Sequence, residues 1–188
     1  FIDQANPRNG LVADSLWENS PASIAATGFS LPVYAVGVEH GWMRREEAAE
    51  RTLAMLRFFS KYENDGVENE TGYQGFYYHF LEMRTGKRVW QCEVSTIDTA
   101  ILISGMLAAQ AYFQGETAGE AEIRRLADRL YRQVNWRWAL DGKTTVTHGW
   151  TPEAGFLPYR WQGYDEAMLL YLLGLGSPTH PLPSSSYQ

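Results

Sequence analysis

Two kinds of helix alternate along this chain, and that alternation limits its possible folds more than any other feature. From Ala22 to about His40 the pattern is apolar almost all the way round, with Ile24, Phe29, Leu31, Val33, Val36 and Val38 leaving no polar stripe. Such a helix must be covered on most sides. From about Arg44 to Lys61 the pattern changes. Leu53, Leu56 and Phe59 recur at helical spacing, while Arg45, Glu46, Glu50 and Arg57 take the other side. A third segment, about Ser95 to Phe113, is again apolar nearly all round. A fourth, about Gly119 to Val134, is again amphipathic, with Ile123, Leu126, Leu130 and Val134 as its buried stripe. A fifth, about Asp165 to Leu175, is apolar from Ala167 onward. A bundle of equivalent helices would make every member amphipathic. Two nested layers account for two helix types, and an α/α toroid has that form. A complete toroid of six inner and six outer helices needs roughly twice this length at about 11–18 residues per helix. The expected class is therefore all-α, about half of an α/α toroid, with a smaller orthogonal five-helix bundle as the other packing the pattern allows. A half-toroid would expose its inner helices as a large apolar face.

The punctuation is readable. Ser20-Pro21 predicts a helix start with Ser20 as N-cap and Pro21 at the first helical position. Pro32 predicts a kink and Gly41 a C-terminal cap. Ser95 followed by Asp98 predicts a capping box with Asp in place of the usual Glu. Between residues 62 and 93 no long helix is expected. Thr85-Gly86 marks a small hairpin between Phe76–Met83 and Lys87–Trp90, and a short strand is expected near Thr144–His148. The Pro- and Ser-rich tail from Ser177 is expected to be disordered. No internal repeat points to a solenoid.

At 188 residues the chain is long enough for one domain with a real core. Its net charge of -6 argues against a nucleic-acid surface, which needs clustered Lys and Arg, and allows an uncharged sugar. No stretch reads as a membrane span. With Cys92 as the one cysteine, no internal disulfide is possible. The four histidines are scattered without metal-ligand spacing, so no metal or other cofactor is expected. The chain opens on Phe1 without an initiator Met and reads as a piece of something longer. The outlying feature is its 7 Trp, 11 Tyr and 8 Phe. Flat rings suit the C–H faces of pyranoses, and they also simply fill cores.

In a two-layer toroid the loops leading into the inner helices open at one face, so the acids at those positions converge. Three segments qualify: Asp14–Ser23, Trp90–Asp98 and Glu153–Glu166. They carry the acids Asp14, Glu93, Asp98, Glu153 and Glu166 and the aromatics Trp90, Tyr159, Trp161 and Tyr164. Glu93 and Glu166 are the candidate catalytic pair. One carboxyl would protonate the leaving oxygen, and the other would activate water or attack the anomeric carbon. For Glu93 two effects compete. The helix N-terminus favours the ionised form, which suits a base, and burial among aromatics favours the neutral form, which suits an acid. Asp98 also reads as a plain capping partner, Glu153 as a turn residue, and His79 as either a sugar-hydroxyl contact or an ordinary strand histidine.

The motifs together resemble the bacterial glucoamylase-like family. They run from Pro21-Ala22-Ser23-Ile24-Ala25-Ala26 through Gly75-Phe76-Tyr77-Tyr78-His79-Phe80 and Glu93-Val94-Ser95-Thr96-Ile97-Asp98 to Gly155-Phe156-Leu157-Pro158-Tyr159 and Ser177-Pro178-Thr179-His180-Pro181. The resemblance covers about Phe1 to Pro183 and implies the N-terminal half of an (α/α)6 barrel, with residues 184–188 as a tail and the missing C-terminal half completing it. It implies a glycoside hydrolase acting on an oligo- or polysaccharide, a β-glucan and β-1,2-linked by expectation. A transglycosylase domain of a cyclic β-1,2-glucan synthase, or a non-catalytic glycan-binding or truncated piece, is the alternative. For the full-length protein it favours a periplasmic or secreted location. The family's acidic positions map onto Glu93 and Glu166, and Asp14 matches a family Asp in the Gly-Leu-Val-x-Asp segment and is expected to bind substrate hydroxyls. Two departures are mild: Glu82 stands where the family usually has Asp, and Asp165 where it commonly has Asn.

Overall fold

A computed structural model describes residues 2–61, 67–163 and 165–187. The five helices are α1 (Ile24–Glu39), α2 (Arg45–Phe59), α3 (Thr96–Tyr112), α4 (Ala118–Gln133) and α5 (Met168–Leu175). All five coincide with the segments read from periodicity. Helix α3 packs on α1, α4 and α5, while α2 lies against α4 and α1. The all-round apolar helices thus adjoin one another, and the amphipathic pair covers them from outside.

The α1–α3 contact is backbone against backbone. A Cβ on Gly28 would lie 2.6 Å from the Leu102 Cα, and one on Gly105 would lie 2.2 Å from the Gly28 carbonyl oxygen. Only glycine permits that approach. Around this contact Tyr34, Phe59, Phe76, Phe113 and Trp136 are fully buried, so much of the aromatic content fills the core. Two apolar stripes stay open: Phe29, Val33 and Val36 on α1, and Met168, Leu172 and Leu175 on α5. Both follow the i, i+4, i+7 spacing of a face built to be covered.

The all-α expectation is wrong. Seven short strands accompany the helices among the described residues: β1 (Ala22–Ser23), β2 (Gly72–Tyr73), β3 (Phe76–Tyr78), β4 (Phe80–Leu81), β5 (Val94–Ser95), β6 (Gly149–Thr151) and β7 (Gly155–Phe156). β1 pairs with β4, and the others form an antiparallel sheet in the order β2-β3-β5-β6-β7. Strands of two or three residues are too short to show a period of two, so they leave no mark in the hydropathy pattern. They exist because the buried connections ahead of α1 and α3 must satisfy their peptide groups. The hairpin turn at Thr85-Gly86 is present, but it is an appendage and not the whole of the β structure.

Pairing also moves the start of α1. Ala22 faces Leu81 and Ser23 faces Phe80, so the helix begins later and Ser23 caps it by accepting from the Ala26 N–H. Ser20 instead closes the loop before it, accepting from the Ser15 N–H at 3.1 Å while its own N–H donates to the Trp17 carbonyl. The tail is not disordered either. Leu182 is buried against Gly174, and residues Ser184–Ser186 form a 3-10 turn.

Candidate functional site

The register of the larger sheet builds the centre of the site. β3 and β5 pair Tyr77 with Ser95 and Tyr78 with Val94. One step outward, the His79 N–H donates to the Glu93 carbonyl at 2.9 Å, so these two residues are opposite one another. Directly opposed residues project from the same face, and the His79 Nδ1 lies 3.0 Å from the Glu93 Oε1. Helix α3 then returns a second carboxylate. Asp98 takes the Ser95 hydroxyl at its Oδ2, its N–H donates to the Ser95 Oγ, and the same Oδ2 stands 3.6 Å from the His79 Nε2. The capping box is therefore real, and its acid also faces the imidazole. Asp14, exposed on the N-terminal arm beside β1, adds its negative field to His79.

Two effects compete at each member of the central pair. Burial pushes the Glu93 carboxyl up, but the His79 hydrogen bond, the local backbone and the positive charges of His79 and Arg88 outweigh it, and its pKa lies below the ordinary carboxylate value. Burial pushes His79 down, and the hydrogen bond to Glu93 with the charges of Asp98, Glu93 and Asp14 more than reverses that. Glu93 is thus held ionised, which suits a base or nucleophile better than an acid. Space for it comes from Gly149 on β6, where a Cβ would sit 2.8 Å from the Glu93 Cγ and 2.5 Å from the Val94 carbonyl oxygen.

Residues 88–92 wrap around one guanidinium. Arg88 donates from Nε to the Cys92 carbonyl and from Nη2 to the Gln91 carbonyl, both at 2.6 Å. It also binds both oxygens of Glu153, at 2.7 and 3.0 Å, and lies 4.7 Å over the Tyr78 ring. Cys92, whose thiol burial pushes up, accepts the Phe80 N–H and ties the same loop to β4. On the other side of the α3 start, Thr96 donates its N–H to the His148 carbonyl, and its hydroxyl accepts from the Trp161 indole N–H at 3.1 Å. The His148 ring stacks on Trp161 at 3.8 Å, with exposed Tyr159 at 5.9 Å.

The structure therefore gathers Glu93, His79 and Asp98 into contact and places Asp14 within their field. Trp161 is at the head of the same helix, and Trp90 is two side chains from His79 through Phe80. Glu153 is engaged with Arg88. Glu166 is exposed in the turn ahead of α5, where the Asp165 carboxylate accepts the Ala167 N–H. No hydrogen bond or ion pair links Glu166 to Glu93 among the described residues. Tyr164 lies outside the described residues. Sequence reasoning missed Arg88, Gly149 and His148, whose roles depend on strand pairings that the chain does not advertise. Among the described residues no cluster of His, Cys, Asp and Glu is arranged to hold a metal ion, and no helix is long and apolar enough to cross a membrane.

Comparison with known proteins finds similarity along the whole chain. Residues 158–188 match the family model described as "Glycoamylase: Putative glucoamylase". The exo beta-1,2-glucooligosaccharide sophorohydrolase (non-reducing end) of Parabacteroides distasonis is 27% identical over 100% of this chain and 26% of its own length. A crystal structure of a putative glucoamylase from Bacteroides uniformis superposes with a TM-score of 0.90 at 31% identity, over 98% of this chain and 45% of the other. The endo-beta-1,2-glucanase of Chitinophaga pinensis, in complex with sophorotriose and glucose, gives a TM-score of 0.86 at 26% identity, over 100% and 46%. The chain spans about a quarter of the curated relative's length and under half of each of these solved chains.

Proposed function

Since this chain matches a bacterial glucoamylase-like family, we propose that it is the part of a glycoside hydrolase that carries the acidic machinery for cleaving a β-1,2-linked glucan. In this reading residues 1–183 are its share of the catalytic domain. Glu93 is the carboxylate that activates water or attacks the anomeric carbon, and Glu166 is the acid that gives its proton to the departing glycosidic oxygen. His79 holds the Glu93 carboxylate in place, and Asp98 fixes the imidazole from its far side. Asp14, Trp90, Tyr159, Trp161 and Tyr164 are the proposed sugar contacts, and Glu153 supports them from outside by pairing with Arg88. The observation that carries the reading is the Glu93–His79 pair at 3.0 Å, with the carboxyl held below its ordinary pKa. Support for the substrate comes from relatives named for β-1,2-glucan chemistry.

The open stripes of α1 and α5 support a second element of the proposal. Further chain, of the kind by which the relatives exceed this one, packs on Phe29, Val33, Leu172 and their neighbours and completes the groove. An extended protein is expected to bind less of a hydrophobic dye than the 188-residue chain. The decisive assay uses the extended protein on β-1,2-gluco-oligosaccharides with chromatographic product analysis. Glu93→Gln and Glu166→Gln should each abolish cleavage while the protein stays folded, Glu93→Gln with a lower melting temperature because the His79 pair is lost. Near-normal turnover by either variant would remove that residue from the mechanism.

A further inference from the structure

Beside the acidic cluster lies a separate cleft of about 680 Å³, lined by Trp17, Asn19, Pro21, Arg84, Val89 and Trp90 among others. Its two indoles are 83% and 72% exposed, an unusual cost for side chains with so much apolar surface. Each is presented by a tight, internally bonded turn. The Trp17 turn is closed by the Ser20 N–H on the Trp17 carbonyl and by the Ser15–Ser20 hydroxyl contact, and Asn19 within it has φ 61. Trp90 and Gln91 are consecutive left-handed residues, with φ 55 and 52. A bulky side chain in that region is strained, and such strain persists only where surrounding contacts over-determine it. Here the over-determining contacts are the two Arg88 bonds to the Gln91 and Cys92 carbonyls. A strained backbone that holds a tryptophan out in water gains nothing from burial.

We infer that this cleft is an accessory sugar-binding subsite in which Trp17 and Trp90 take the faces of a pyranose unit. The inference rests on the glucan reading above, which already counts Trp90 among the sugar contacts, and goes beyond it by joining Trp90 to Trp17 in a subsite outside the acidic cluster. The ligand is a neutral gluco-oligosaccharide. Two indoles supply apolar faces for ring C–H groups, and Asn19 and Arg84 supply polar edges for hydroxyls. Phe80 stacks on His79 at 3.9 Å and contacts Trp90 at 5.3 Å, so two side chains, Phe80 and His79, stand between the Trp90 indole and Glu93. A glucan chain occupying the acidic site therefore reaches the cleft with its next units.

Calorimetric titration of this chain with β-1,2-linked gluco-oligosaccharides of increasing length tests the assignment without requiring catalysis. Affinity should rise with length, and Trp17→Ala and Trp90→Ala should each weaken binding of the longer ligands about tenfold. Glu122→Gln, which alters the Arg57 ion pair between α2 and α4, should bind as the parent does. Trp90→Asn separates binding from folding, because Asn tolerates the left-handed region. It should keep or raise the melting temperature while losing the affinity. Length-independent affinity, or tryptophan variants that bind normally, would overturn the subsite and leave the Glu93 reading untouched. A fall in melting temperature with unchanged binding would assign the indoles to packing and overturn it too. Active Glu93→Gln in the extended protein, with tryptophan-dependent binding intact, would instead remove the catalytic reading alone.

Discussion

His79 and Glu93 meet twice across the β3–β5 register, once through the backbone at 2.9 Å and once through Nδ1 and Oε1 at 3.0 Å. The double contact fixes which way the carboxylate points and also its charge. Glu93 lies below its ordinary value, so its contribution to stability is full above the carboxylate range and is lost as pH falls through the lowered value. His79 is raised, so its contribution is full below the ordinary histidine value and is lost as pH rises through the raised one. The pair is therefore strongest between those limits. His79→Ala should move the acid limb of the kcat/KM profile of the extended protein to higher pH, since Glu93 loses its main counterweight to burial. An acid limb that stays in place would show that His79 does not set the charge of Glu93.

Gly149 leaves room for Glu93, and a methyl group there would press on the Glu93 Cγ and the Val94 carbonyl together. Gly149→Ala should cost about a hundredfold in kcat, because displacement of a reacting group by an ångström is that expensive. Steady-state kinetics beside a melting curve decides the matter. Full activity in the variant would mean that Glu93 tolerates displacement and is not the reacting carboxylate.

Arg88 and Glu153 divide a structural task unequally. The guanidinium holds two loop carbonyls and lies over Tyr78, while Glu153 is exposed and contributes only the ion pair. Exposed pairs of this kind are weak. Arg88→Ala should accelerate hydrogen exchange of the Cys92 amide, which donates to the Val89 carbonyl across this loop, whereas Glu153→Gln should leave that rate near the parent's. Equal acceleration in the two variants would contradict this division.

The helix–helix contact at Gly28 and Gly105 admits no side chain. Gly105→Ala should destabilise the protein by about 3 kcal/mol through forced separation of α1 and α3, measured as a shift in the urea midpoint. A midpoint within error of the parent would show that the helices separate at little cost.

Some of this was written locally. Helix existence and type were legible because α1 to α4 run for three or more turns, long enough for a period of 3.6 to declare itself as all-round or one-sided apolarity. The capping box of α3 was legible because Ser95 and Asp98 are only three residues apart. Glu93 and His79 were both marked as candidates, but fourteen residues separate them and nothing local states that they face one another.

What the chain determined by itself was the alternation of buried and covering helices, since helical hydrophobicity is a property of neighbours in sequence. What only the tertiary structure decided was everything resting on strand register. That includes the five-stranded sheet, the shift of the α1 cap from Ser20 to Ser23, the His79–Glu93 contact and the glycine gap at Gly149. The physical reason is that a strand of two or three residues is specified by its partner rather than by its own composition. Its hydrogen bonds, and the face its side chains take, exist only once the distant segment has arrived.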